Sequence, residues 1–162
     1  MRAHLKTASL SLLALMLVAA CGGTATAPPA TSAATCVNAK AAHKAYLVVT
    51  HQDDKSAQRC VGFDADQLNG EDLMKQSGIE YQTQTFSFGK GVCQVDNEPA
   101  QFTECFPKDQ PYWALFTASG SGPWTSAQTG FTQVNLKPGD ALGWRYTPAT
   151  ASPAPTPAPP KE

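Results

Sequence analysis

The chain is 162 residues long, with a formal net charge of -1 and 15% charged residues. That length suits one domain of ordinary size. With a near-neutral balance nothing points to nucleic acid, whose binding needs a concentrated basic face, or to strong steering of an acidic partner.

Residues 1–20 read as a lipoprotein signal peptide. Arg2, His4 and Lys6 make a basic start, and residues 8–20 are apolar but shorter than the roughly 20 residues of a spanning helix. Small residues lead to Cys21, which is followed by Gly22 and Gly23. The arrangement resembles a bacterial lipobox, in which Cys21 becomes the mature N-terminus and carries diacylglycerol. Each buried methylene contributes about 0.8 kcal/mol, so two or three acyl chains hold a soluble domain firmly on a membrane. The expected location is extracytoplasmic and lipid-anchored, with inner versus outer membrane left open. Removing residues 1–20 takes away Arg2 and Lys6 and leaves the remainder mildly acidic.

Lipidation uses one of the five cysteines and leaves Cys36, Cys60, Cys93 and Cys105. An even number in an exported chain predicts two disulfides. Three connectivities are open, and nearness in sequence favours Cys36–Cys60 with Cys93–Cys105. The competing four-thiolate zinc site lacks any Cys-x-x-Cys pair and suits a reducing compartment, so no metal is expected.

Residues 21–35 are Ala, Thr, Pro, Ser and Gly after the cysteine, without charge, and read as a flexible tether. Residues 36–148 form the folded unit. Residues 149–162, with prolines at 153, 155, 157, 159 and 160, read as a disordered polyproline-prone tail.

Within the folded unit, residues 45–51 are β-branched and aromatic and predict a strand, and residues 52–55 a turn. Residues 56–63 return as the second strand of a hairpin. Residues 68–78 predict one short helix, with Asn69 as N-cap, Glu71 and Asp72 in the first turn, a Leu68–Leu73 staple and Gly78 as the terminator. Leu73 and Met74 must then pack on a sheet, since so short a helix does not hold alone. Residues 79–88 predict a strand whose apolar phase shifts toward Phe86 and Phe88, which implies a bulge or bend. Residues 92–95 and 111–117 follow as strands, the second apolar on both faces. Residues 131–136 and 141–146 predict a final hairpin around a type II turn at Pro138-Gly139. Together these elements predict an α+β, disulfide-stapled fold: a mixed or antiparallel sheet with one short helix across it.

A helix ending Ser77-Gly78-Ile79 comes first, then Val92-Cys-Gln-Val-Asp-Asn97, Tyr112-Trp113 and Gly122-Pro-Trp124. With Pro138-Gly-Asp-Ala-Leu-Gly-Trp-Arg-Tyr146, this combination resembles the transcobalamin-like C-terminal domain family. The likeness covers residues 45–147. It implies a β-grasp fold and, because such domains close over one face of a corrinoid in vitamin B12 carriers, a planar corrinoid-like ligand.

The chain carries no Gly-x-Ser-x-Gly, no phosphate-binding Gly-x-x-x-x-Gly-Lys-Ser/Thr and no His-Glu-x-x-His, so no enzyme and no cofactor is expected. His51 near Asp53 and Asp54 reads as solvated turn chemistry, and Asp96, Glu98 and Glu104 as solvated loop acids. The aromatic residues are the stronger candidates, because large rings build apolar clefts that stack on planar molecules. Tyr112, Trp113, Trp124 and Trp144 are the candidate ligand contacts, with Trp124 in a Gly/Ser-rich loop foremost. The expectation is a non-enzymatic, membrane-anchored binding module. The alternative is a protein-interaction module that docks an envelope or transporter partner by a sheet edge or the proline-rich tail.

Overall fold

The computed structural model describes residues 36–87 and 89–160, so the signal segment, the Cys21 lipidation site and the tether lie outside the described residues. The elements run β1 (Cys36–Val37), β2 (His43–Thr50), β3 (Ser56–Phe63), β4 (Leu68–Asn69), α1 (Gly70–Ser77), β5 (Tyr81–Phe86) and β6 (Gly89–Val95). They continue with β7 (Tyr112–Ala118), β8 (Thr125–Ser126), a 3-10 turn (Phe131–Gln133), β9 (Asn135–Leu136) and β10 (Ala141–Thr147). The fold is mixed α+β, mostly sheet with one helix. No described helix is long and apolar enough to cross a membrane.

The main sheet has six strands in the order β1-β3-β2-β10-β7-β8. The hairpin β2–β3 forms as expected, with Thr50 opposite Ser56 at the turn and His43 opposite Phe63 at the far end. Strand β10 lies parallel to β2, with Leu47 opposite Leu142, and antiparallel to β7, with Trp144 opposite Leu115. The first and last long strands are therefore central neighbours.

Helix α1 is set by its ends. The Asn69 side chain accepts the Glu71 N–H at 2.9 Å, and Gly78 sits at φ 73°, where a side chain would be strained. Leu73 and Met74 are fully buried against the sheet, in one core with Leu47, Val49, Val61, Phe131, Leu136, Leu142 and Trp144. Glu71 holds the helix to β6 by accepting from Lys90 at 2.5 Å and also pairs with Lys75 at 3.2 Å. The Lys90 and Lys75 ammonium groups hold the Glu71 carboxyl below its ordinary value. A depressed folded-state value contributes stability above the unfolded pKa and loses it as pH falls through the folded one. Acid titration below the usual carboxylate range is therefore expected to remove this contribution. Glu71→Gln should remove the same slope, at a cost below about 1 kcal/mol for so superficial a pair.

Both favoured disulfides are present, Cys36–Cys60 and Cys93–Cys105. They are compatible with an extracytoplasmic location. The first pins β1 to β3, and the second pins the loop after β6.

Three expectations need correction. The segment 131–136 does not pair with β10. It forms the 3-10 turn and then β9, which pairs with β4 through Leu68 opposite Leu136. The type II turn itself is there: Gly139 has φ 86° and Asp140 donates to the Lys137 carbonyl at 3.0 Å. It serves to lead the chain into the centre of the sheet, because Gly139 also donates to Lys44 O at 2.8 Å. The β5–β6 hairpin has its register shift between Gln82 and Thr83, nearer its start than the Phe86 region.

The third correction is the tail. Of residues 149–162, expected to be disordered, the described residues 149–160 turn back at Pro148, whose carbonyl accepts from Ala151 at 3.0 Å, and pack on the sheet face opposite α1. Pro157 is buried and Ala158 donates to the Thr50 hydroxyl at 2.9 Å. Composition predicts disorder when a segment cannot bury apolar surface by itself. Here the rest of the fold supplies the surface.

Candidate functional site

Neighbouring residues on a strand point to opposite faces, so β7 and β10 divide the aromatic candidates. Trp113 and Trp144 face α1, and Trp124 reaches the opposite face from its loop. Each indole N–H has its own acceptor. Trp113 donates to Glu98 O at 2.8 Å, Trp144 to Met74 Sδ at 3.2 Å and Trp124 to Ala158 O at 3.1 Å. A buried indole needs such a partner, and the partner fixes its orientation. The three tryptophans are thus divided between the two faces of the sheet.

Trp113 and Trp144 are 3% and 4% exposed and belong to the core, yet both also reach a cleft of about 160 Å3. The cleft opens where β6 approaches β7 without joining its ladder. Leu115 and Phe131 complete its apolar floor, and Lys90 and Phe106 stand at its rim. Phe106 is 45% exposed and packs against Phe86 with ring centroids 5.5 Å apart. Gly91 lets both rings approach: a Cβ there would lie 2.7 Å from each. Leu115 shares the Trp113 face by its period of two, so its place in the cleft was readable from the alternation. Phe106 and Phe131 carry no local signal, since a loop and a 3-10 turn deliver them.

Tyr112 stands apart in a smaller crevice of about 70 Å3, with Tyr146, Pro99 and the Cys93–Cys105 bridge. Burial, and after it the Glu98 charge, pushes the Tyr146 hydroxyl above its ordinary value. Trp124 touches neither hollow. Its ring lies over β10 at Gly143, where an added Cβ would come within 2.8 Å of the indole and 2.7 Å of the Pro157 ring.

The polar residues near the β2–β3 turn are also rearranged. Asp54 N donates to His51 O at 3.1 Å, but the His51 side chain pairs with neither the Asp53 nor the Asp54 carboxylate. Its Nδ1 lies 2.7 Å from Glu98 Oε2 and its Nε2 lies 3.4 Å from Asp96 Oδ2. Asp96 and Asn97 have φ 48° and 62°, and Val95 and Glu98 exchange both backbone hydrogen bonds. That two-residue turn presents the carboxylates to the histidine. Asp53 instead pairs with Lys55, which holds its carboxyl below the ordinary value. Asp54 pairs with Arg145 at 2.6 Å. Among the described residues there is no group of three or more His, Cys, Asp or Glu able to hold a metal ion.

The chain matches no family model and no curated protein. It is similar in structure to a putative metal binding protein from Ruminococcus gnavus, with a TM-score of 0.50 and 18% identity over 66% of this chain and 98% of that one. At that identity the likeness concerns the fold alone.

Proposed function

We propose that this chain is a lipid-anchored, extracytoplasmic β-grasp domain that binds a small planar ligand without catalysis, through the cleft between β6 and β7. The β-grasp reading is supported by the hairpin, helix and later strands, with the first and last long strands parallel at the sheet centre. The observation that carries the ligand reading is the cleft itself, an apolar floor of Trp113, Leu115, Phe131 and Trp144 open to solvent beside a half-exposed Phe106. Its volume of about 160 Å3 lies well below the roughly 300 Å3 at which pockets begin to enclose a whole small molecule. It takes one ring or edge of a ligand, and a corrinoid-sized macrocycle would rest across its mouth.

Calorimetric titration of the purified full chain with cobalamin and a panel of planar molecules tests this. A binding ligand should lose about tenfold affinity in Phe106→Ala, with the unfolding midpoint nearly unchanged. No heat from any member of the panel, or equal affinity in the variant, would remove the cleft as a site. Mass spectrometry should find lipid on Cys21, and Cys21→Ala should release the protein from membranes.

The second reading is a docking module for envelope proteins. The outer face of the sheet favours it, because that face already holds a proline-rich segment.

A further inference from the structure

We propose that the outer face of the sheet, between Trp124 and Thr50, is a recognition groove for proline-rich peptide strands. The C-terminal segment is its resident ligand, and a proline-rich strand of another polypeptide competes for the same place. This deepens the docking reading and does not depend on the cleft, which opens on the other face.

The groove is built by residues far apart in sequence. Gly143 leaves a gap in the middle of β10, flanked across the ladder by Val48 and Phe116. The Trp124 indole forms one wall, and the Pro157 ring fills the space a Cβ at Gly143 would take. Beside that slot the protein reads the main chain of one residue, Ala158: the Trp124 N–H donates to Ala158 O at 3.1 Å, and the Thr50 hydroxyl accepts from Ala158 N at 2.9 Å.

Those contacts define what the groove selects. A proline is pre-set in φ and presents a flat ring, so it enters an aromatic-walled slot with little loss of conformational freedom. Proline-rich strands make no internal hydrogen bonds, which leaves their carbonyls ready to accept from an indole. The next residue must be able to donate its own N–H, so the minimal pattern is proline followed by a non-proline residue, as in Pro157-Ala158. Nothing in this pattern requires the strand to come from the same chain. Attachment raises the local concentration of the resident segment, and a competitor must overcome that advantage.

Fluorescence anisotropy of a labelled peptide of residues 153–160 with the full-length protein tests the proposal. Pro157→Asp, which expels the resident segment, should bind the peptide at least tenfold more tightly than wild type. Adding Trp124→Phe, which keeps a ring but removes the N–H, should weaken that binding about tenfold. Thermal unfolding monitors integrity, and Pro157→Ala replaces Pro157→Asp if the charged variant does not fold. Equal affinity of the emptied and wild-type proteins, no binding to the emptied protein, or insensitivity to Trp124→Phe would each overturn it.

Discussion

Trp144→Ala is expected to destabilise the domain by about 3–5 kcal/mol, a large part of the roughly 5–15 kcal/mol that holds a domain together. The side chain is 4% exposed, stands edge-on to Phe131 with centroids 5.9 Å apart, and donates to Met74 on α1 at 3.2 Å. Its loss opens a cavity between helix and sheet and frees the helix from β10. Urea unfolding of the variant should show a midpoint far below wild type, with Trp144→Phe between the two. A tryptophan whose main duty is stacking on a ligand would cost well under 1 kcal/mol in the unliganded protein. A loss that small would leave Trp144 a cleft residue only, with no part in holding the helix to the sheet.

Replacing Cys93 and Cys105 together by alanine should cost about 3 kcal/mol. The bridge closes a loop with a sequence separation of 12, and closure of that order restricts the unfolded chain by about this amount. The functional effect is the sharper one. Phe106 directly follows Cys105, so the bridge also fixes the aromatic rim of the cleft against Gly91 and Phe86. The double variant is expected to lose cleft affinity at temperatures where circular dichroism still reports a folded sheet. Unchanged affinity in the folded double variant would show that the rim orders itself without the bridge. Removing Cys36 and Cys60 should cost a similar amount of stability and leave the cleft alone, because that bridge lies at the other edge, on β1 and β3.

What was legible in the sequence was what neighbouring residues decide. Asn69 and Gly78 mark the helix because capping is a property of a few adjacent backbone groups. The β2–β3 hairpin and the Pro138-Gly139 turn are local for the same reason. The partner of a strand is not. The same turn would serve whether residues 131–136 folded back on β10 or, as they do, on β4, and long-range packing makes that choice. Adjacency in sequence puts His51 beside Asp53 and Asp54, whereas Glu98 reaches it from another hairpin. The tail shows the limit most clearly. Its alternating prolines predict disorder for a segment taken alone, and no local pattern reports the gap at Gly143 or the wall at Trp124 that receive Pro157.

The parallel pairing of β2 with β10 also dictates the order of events in folding. A chain emerging from its N-terminus can form the β2–β3 hairpin and the caps of α1 early, but the inner edge of β2 stays unpaired until nearly the whole domain is out. Leu47 waits for Leu142, and the tail that covers the far face arrives later still. Such non-local closure makes folding slow relative to a helical domain of the same size. A polypeptide stopped anywhere before β10 keeps an apolar half-sheet with one open edge, the kind of surface on which chains aggregate. For this protein, closure of the domain waits for β10.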